Sequence, residues 1–208
     1  PTVGAAGATI VVSETVRNQG AGAAGSSTTR FYLSNNSSFD ANDIMLDGVH
    51  DVPALPAGAT SLASVSVVIP SDATPGARYV IARADADNLL NESSESNNSV
   101  AKPLQIGPDL VVLALTVPAT AAADGPITVT DTVKNKGGGA AGASVTAFHL
   151  STNNSLDSGD LLLGSRAVVD LAAGVSSVGN TTLTVPPEVT PGTYYVIAIA
   201  DAGKVVIE

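Results

Sequence analysis

Residues Val16 to Leu46 read VRNQGAGAAGSSTTRFYLSNNSSFDANDIML, and residues Val133 to Leu163 read VKNKGGGAAGASVTAFHLSTNNSLDSGDLLL. Equivalent positions lie 133 − 16 = 117 residues apart here. At the Pro-Gly pairs ending in Gly76 and Gly192 they lie 192 − 76 = 116 apart, so one residue has been lost near Asp47 or Gly48. A period this long exceeds that of ordinary solenoid repeats. It predicts two whole domains in tandem, over residues 1–106 and 107–208, rather than turns of one superhelix.

Within each copy the apolar period is two. ITVTDTV (Ile127 to Val133) and TTLTVP in the second copy, and TIVVSETV and ASVSVVIP in the first, alternate apolar and polar residues. Alternation of this kind marks strands with one buried face. No stretch places apolar residues three and four apart for long enough to make a convincing helix. The composition agrees: 20 Gly and 12 Pro suit many short strands joined by turns, and 3% aromatic content with no Trp leaves a core of Val, Leu, Ile and Ala. The expected fold class is all-β, with six or seven strands per copy in two-sheet sandwiches.

The two copies are cut at different points. Pro118 aligns with Pro1, so the first copy lacks a counterpart of Asp109 to Val117 and is expected to miss its N-terminal strand. Glu208 aligns with Glu92, so the second copy stops before the equivalent of SSESNNSVAKPLQI and is expected to miss its C-terminal strand. A sandwich without an edge strand exposes unpaired backbone groups along apolar surface. Two expectations follow: the polypeptide is part of a longer one, or a neighbouring subunit completes the sheet by strand addition.

Charge and chemistry exclude several classes of function. A net charge of −10, from 19 acidic and 9 basic residues, disfavours a nucleic-acid partner. The longest apolar runs, such as DLVVLALTV, are too short to span a bilayer as a helix. The absence of Cys excludes disulfides, thiol nucleophiles and Cys-ligated zinc. Neither His50 nor His149 has a His counterpart in the other copy, and no GxSxG elbow occurs, so no enzyme is expected. Asn35, Asn91, Asn153 and Asn180 open glycosylation sequons that matter only in a host able to use them.

The best candidate for a site is an acidic turn present in both copies: Asn35, Asn36, Asp40, Asn42 and Asp43 in the first, and Asn153, Asn154, Asp157 and Asp160 in the second, with Asn35, Asp40, Asp43, Asn153, Asp157 and Asp160 as the candidate metal ligands. Calcium takes six to eight hard oxygen ligands, and carboxylates closely spaced on a turn supply some of them. The alternative is that these Asn and Asp residues cap the turn through side-chain-to-backbone bonds. A second acidic group, Asp85, Asp87, Glu92 and Glu95, reads as a solvated strand end.

The motifs VRNQG…AAG and VKNKG…AAG, FYLS and FHLS, LPAG and LAAG, TPGARYV and TPGTYYV, DLVV and NESSESNNS together resemble the CARDB family, the cell-adhesion-related domain found in bacteria. The resemblance covers nearly all of both copies. It departs at DAGKVVIE, which stands where the first copy has DADNLLNE. It implies immunoglobulin-like or fibronectin-like sandwiches in tandem arrays of secreted or surface proteins, bacterial or archaeal. The expected function is a non-enzymatic extracellular structural or adhesive module, self-associating in a filament or array, with a possible cell-surface or matrix ligand. The alternative is a carbohydrate-binding or other ligand-binding accessory module of a longer secreted protein.

Overall fold

A computed structural model describes all 208 residues, and every named element in it is a strand. The chain divides into two compact units, Pro1–Ile106 and Gly107–Glu208. No helix is long and apolar enough to cross a membrane.

Unit 1 contains β1 (Val3–Gly4), β2 (Thr9–Arg17), β3 (Ser27–Ser34), β4 (Ile44–Val52), β5 (Thr60–Val68), β6 (Gly76–Arg83) and β7 (Ser99–Ile106). One sheet has the order β1-β7-β6-β3-β4, and the other is the antiparallel pair β2-β5. Ile10 of β2 and Val67 of β5 meet Phe31, Leu33, Leu46, Val80, Leu104 and Ile106 from the larger sheet in one core. Phe31, one of only three Phe in the chain, is fully buried at its centre.

Unit 2 contains β8 (Leu110–Thr116), β9 (Pro126–Asn135), β10 (Ser144–Ser151), β11 (Leu161–Val168), β12 (Ser176–Thr184) and β13 (Tyr195–Ile199). Its sheets are β11-β10-β13 and β12-β9-β8. Phe148 takes the place of Phe31, packed with Ile127, Val129, Leu150, Leu183 and Val185. A second cluster of Leu110, Val133, Ala141, Val168 and Leu171 closes the end of the sandwich where β8 begins.

The all-β sandwiches expected from the alternation, and the immunoglobulin-like architecture that the family resemblance implies, are what the chain adopts. Inward positions along β9 are Ile127, Val129, Asp131, Val133 and Asn135, all buried, while the residues between them are exposed or half-buried. Period-two patterning therefore placed the strand on the core correctly, even though two of its five buried residues are polar.

Candidate functional site

The two units differ most along one strand edge. In unit 2, β9 is flanked on both sides, by β12 and by β8. Its counterpart in unit 1, β2, pairs only with β5. Beside the unpaired edge of β2 lies an open cleft of about 1290 Å³, lined by Val12 to Gly25, by Val52 and Leu55, and by Val80, Ala82 and Leu90. It occupies the place that β8 fills in unit 2.

At the equivalent end of unit 2, β8 is held through one asparagine. Asn135 is wholly buried and acts as a hub. Its Nδ2 donates to the carbonyls of Gly139 and Leu171, at 2.8 and 2.9 Å. Its Oδ1 accepts from Gly137 N at 3.0 Å and from Asp109 N, at the mouth of β8, at 3.1 Å. The leading segment of β8 is bonded further by Lys136 N to Asp109 O and by Gly139 N to Gly107 O. Leu110 then drops its side chain onto Val133, Ala141, Val168 and Leu171.

Unit 1 repeats the hub at Asn18. Asn18 Nδ2 donates to Gly22 O and Leu55 O at 2.7 and 2.9 Å, and Oδ1 accepts from Gly20 N at 2.9 Å. The fourth bond, the one Asn135 makes to the incoming strand, has no counterpart. The apolar floor of Val16, Ala24, Val52 and Leu55 repeats the positions that receive Leu110, and here it faces the cleft.

Polar groups also link the two sheets of each unit. In unit 2, Arg166 on β11 grips Asp131 on β9 with two bonds of 2.7 Å and reaches Ser177 Oγ on β12 at 3.1 Å. Asp131 is wholly buried, so this pair is shielded from water. A Cβ on Gly179 would meet the Arg166 side chain at 2.3 Å, so the glycine makes room for the guanidinium. At the same positions unit 1 has Glu14, His50, Ser61 and, for the glycine, Ala63. His50 Nδ1 lies 2.7 Å from Glu14 Oε1, and Nε2 lies 3.0 Å from Ser61 Oγ. The smaller imidazole leaves space for the alanine.

A serine, a histidine and a carboxylate in line is also the arrangement of a nucleophilic relay. Here an always-charged guanidinium occupies the histidine's place in the other unit and cannot take a proton from a hydroxyl. What the two sites share is a polar tie between sheets. Local pattern gives no sign of this role of His50, because its partners lie 36 and 11 residues away on other strands.

The acidic turns repeat in detail. Asp43 Oδ2 accepts from Asp40 N at 2.8 Å, and Asp40 Oδ1 accepts from Asn42 N at 2.7 Å. In unit 2, Asp160 Oδ2 accepts from Asp157 N at 2.8 Å, and Asp157 Oδ1 from Gly159 N at 2.7 Å. The backbone bond from Asn42 holds the Asp40 carboxyl below the usual range, and the Ser151 hydroxyl does the same for Asp160. Asn153 Oδ1 receives Ser155 N, and its amide reaches Asp157 Oδ2 at 3.3 Å. Asn35 is exposed and stands apart from the Asp40–Asp43 bonds. No three His, Cys, Asp or Glu side chains converge as a metal-binding group.

The second acidic group splits by role. Asp85 is buried, with a positive φ of 41°, and its carboxylate caps Leu89 N and Leu90 N. Asp201 has φ 42° and caps Val205 N and Val206 N in the same way. The departure DAGKVVIE thus preserves the loop, with Lys204 taking the left-handed backbone of Asn88. Asp87 instead pairs with Arg30 at 3.2 Å, and Glu92 and Glu95 hold the Asn98 amide.

The sequence model of the CARDB family matches residues 1–102 and again residues 107–208. No curated protein matches the chain. Among solved structures, red sea bream transglutaminase is similar at 13% identity and a TM-score of 0.52, over 95% of this chain. The chain spans only 27% of that protein's length, and at this identity the likeness shows the fold alone. A calcium-binding domain, CBD12 of CALX1.1, is 12% identical over 86% of this chain and 70% of its own, with a TM-score of 0.39. The class 5 fimbriae chaperone CfaA is 14% identical over 95% of this chain and 96% of its own, with a TM-score of 0.30.

Proposed function

The chain belongs to the CARDB family along both of its halves, and we propose that this adhesion-type module works as an extracellular structural element of a bacterial or archaeal surface. On this reading each unit is a rigid bead, repetition sets reach, and copies associate into a filament or array. The observation that carries it is the family match over both halves, borne by two compact sandwiches in series. The net charge of −10 adds repulsion that keeps such modules from clumping through their faces.

Electron microscopy of the purified chain across a concentration series tests the self-association. Regular filaments that lengthen with concentration are the expected result. Isolated two-unit particles at all concentrations, or saturable binding of one defined oligosaccharide, would overturn it in favour of an accessory binding module. Calcium has a narrower place in this proposal. An ion at Asn35, Asp40 and Asp43, or at Asn153, Asp157 and Asp160, would compete with the turns' own backbone bonds and bind in the weak, millimolar range typical of extracellular modules. Its effect would be to stiffen the β3–β4 and β10–β11 turns, which amide-resolved NMR with added calcium detects.

A further inference from the structure

Repulsion holds two copies apart wherever acidic surface meets acidic surface, and one face of each unit is free of it. Every second residue of β2, from Thr9 to Arg17, points away from the core, as does every second residue of β5, from Thr60 to Val68. These outward strips read Thr-Val-Ser-Thr-Arg and Thr-Leu-Ser-Ser-Val, without one acid in a chain that has 19. The counterpart strips, from Pro126 to Lys134 on β9 and from Ser176 to Thr184 on β12, are equally free of acid. Both faces hold a bulky aliphatic side chain in solvent at the same place. Leu62 is 74% exposed and Val178, its equivalent, 68%. They stand on β5 and β12, and β12 is separated from β8 by β9, so the face does not depend on that strand.

Each face is also charged differently at its two ends. Arg17 and Lys134 occupy the same end, opposite Thr60 and Ser176. At the other end of the unit 1 face, Asp47 Oδ1 accepts from Val68 N at 2.8 Å. At the other end of the unit 2 face, Asp124 N is bonded to Val185 O.

We propose that these faces are the interface between copies of this chain, laid one upon the other with their strands running in opposite directions. This rests on the reading that copies associate, and it adds the surface through which they do so. Charge sets both the face and the direction. Between two chains of net charge −10, this is the approach on which no acid opposes another across the centre. The antiparallel arrangement keeps the two Arg17 side chains apart and brings each toward the Asp47 end of the other copy. The middle row is Ser13 and Ser64, whose hydroxyls lie 3.0 Å apart. About that row the face complements itself, and Leu62 of one copy comes down on the Val11–Ser66 row of the other.

Each contact is small. Nine residues on two strands cover about 300 Å², against about 800 Å² per partner in a stable complex. A single face therefore holds weakly, and repetition along the chain supplies the strength. With one face in each unit, every copy has the two contacts that an array needs.

The test uses intact chains. The protein has no Cys, so Ser64→Cys places one thiol at the middle of the unit 1 face, and Ser37→Cys places one on the exposed acidic turn. Each is treated with a bismaleimide spanning about 10 Å, the usual distance between packed sheets. Covalent dimer should form with Ser64→Cys and not with Ser37→Cys. Leu62→Asp, added to Ser64→Cys, removes an apolar contact and buries a carboxylate, so it should lower the dimer yield by at least about tenfold. The melting temperature should not change, since Leu62 lies in solvent. Leu62→Asp combined with Val178→Asp should abolish filaments. Equal yields from the two thiols, or a yield that Leu62→Asp leaves unchanged, overturns the proposal. Filaments that persist in the double variant overturn it while leaving self-association standing. Dimers without filaments support the interface and overturn the filament, and the absence of both overturns both.

Discussion

Unit 1 and unit 2 build the same kind of sandwich with different edge strands present. Unit 1 keeps the strand that closes the larger sheet, β7, whose Leu104 and Ile106 are fully buried in the core, and leaves β2 bare. Unit 2 keeps the strand that covers β9 and leaves β13 without an outer neighbour. Burial follows at equivalent positions. Val133 is fully buried and Val16 is not; Val80 and Ile81 are buried, whereas Val196 and Ile197 are only partly so. The comparison shows what each edge strand contributes: β8 seals a polar hub and its flanking apolar hole, while β7 supplies core volume.

Mutations can break this comparison at its strongest point first. Asp131→Ala leaves the Arg166 guanidinium without its buried partner, and removing one member of such a pair costs about 3–5 kcal/mol. Glu14→Ala in unit 1 should cost clearly less, because an imidazole has a neutral form and a guanidinium has none, so no charge need be stranded. Chemical denaturation of the two variants, followed by unit-resolved NMR signals, should lower the unit 2 transition far more than the unit 1 transition. Comparable losses would show that the loss of Glu14 strands a charge as the loss of Asp131 does.

Leu110→Ala comes next, since a buried leucine truncated to alanine costs about 2–5 kcal/mol. It should make unit 2 resemble unit 1, raising hydrogen exchange at Lys136 and Gly139, whose amides bond the lead-in to β8. A smaller asymmetry is expected between Asn135→Ala and Asn18→Ala. The first removes four hydrogen bonds from a sealed site and the second three beside open solvent, so with about 1 kcal/mol net per bond the former should be the more damaging by about 1–2 kcal/mol.

The mildest effect concerns pH. Asp40 and Asp160 have carboxyls held below the usual range in the folded chain. Their contribution to stability is therefore complete above the ordinary Asp value and is lost as pH falls through the depressed one. Carboxyl-detected NMR should show both turns loosening only in that acid window. Ser151→Ala should move the Asp160 titration upward and leave Asp40 where it is, because the Ser151 hydroxyl is the leading cause in unit 2 alone.

Much of this was legible in the sequence. Alternation in ITVTDTV placed Ile127, Val129 and Val133 inward. The Asn and Asp residues of the turns were equally readable as self-capping, since each bonds a residue two or three positions away. The inter-sheet ties were not. Asp131 sits on the core side of an alternating strand, and its partner is 35 residues distant on the facing sheet. The correlated exchange of Arg166 and Gly179 for His50 and Ala63 was visible only once the strands were stacked. Asn18 and Asn135 stood in the recurring motif, yet local pattern carries no record of a hub whose four bonds reach three separate segments.

The parallel pairing of β1 with β7 has a mechanical side. Val3 lies beside Gln105 and Gly4 beside Ile106, with Gln105 N bonded to Thr2 O, so the entry and exit of unit 1 run side by side in the same direction. Tension applied to the two ends pulls these strands past one another, and their bonds share the load together instead of parting one after another. Gly4 lets the patch sit close to the core, for a Cβ there would meet Ile69 Cδ1 at 2.4 Å. Stretched between Val3 and Ile106, unit 1 should therefore give way by shear of this pair and not by unzipping.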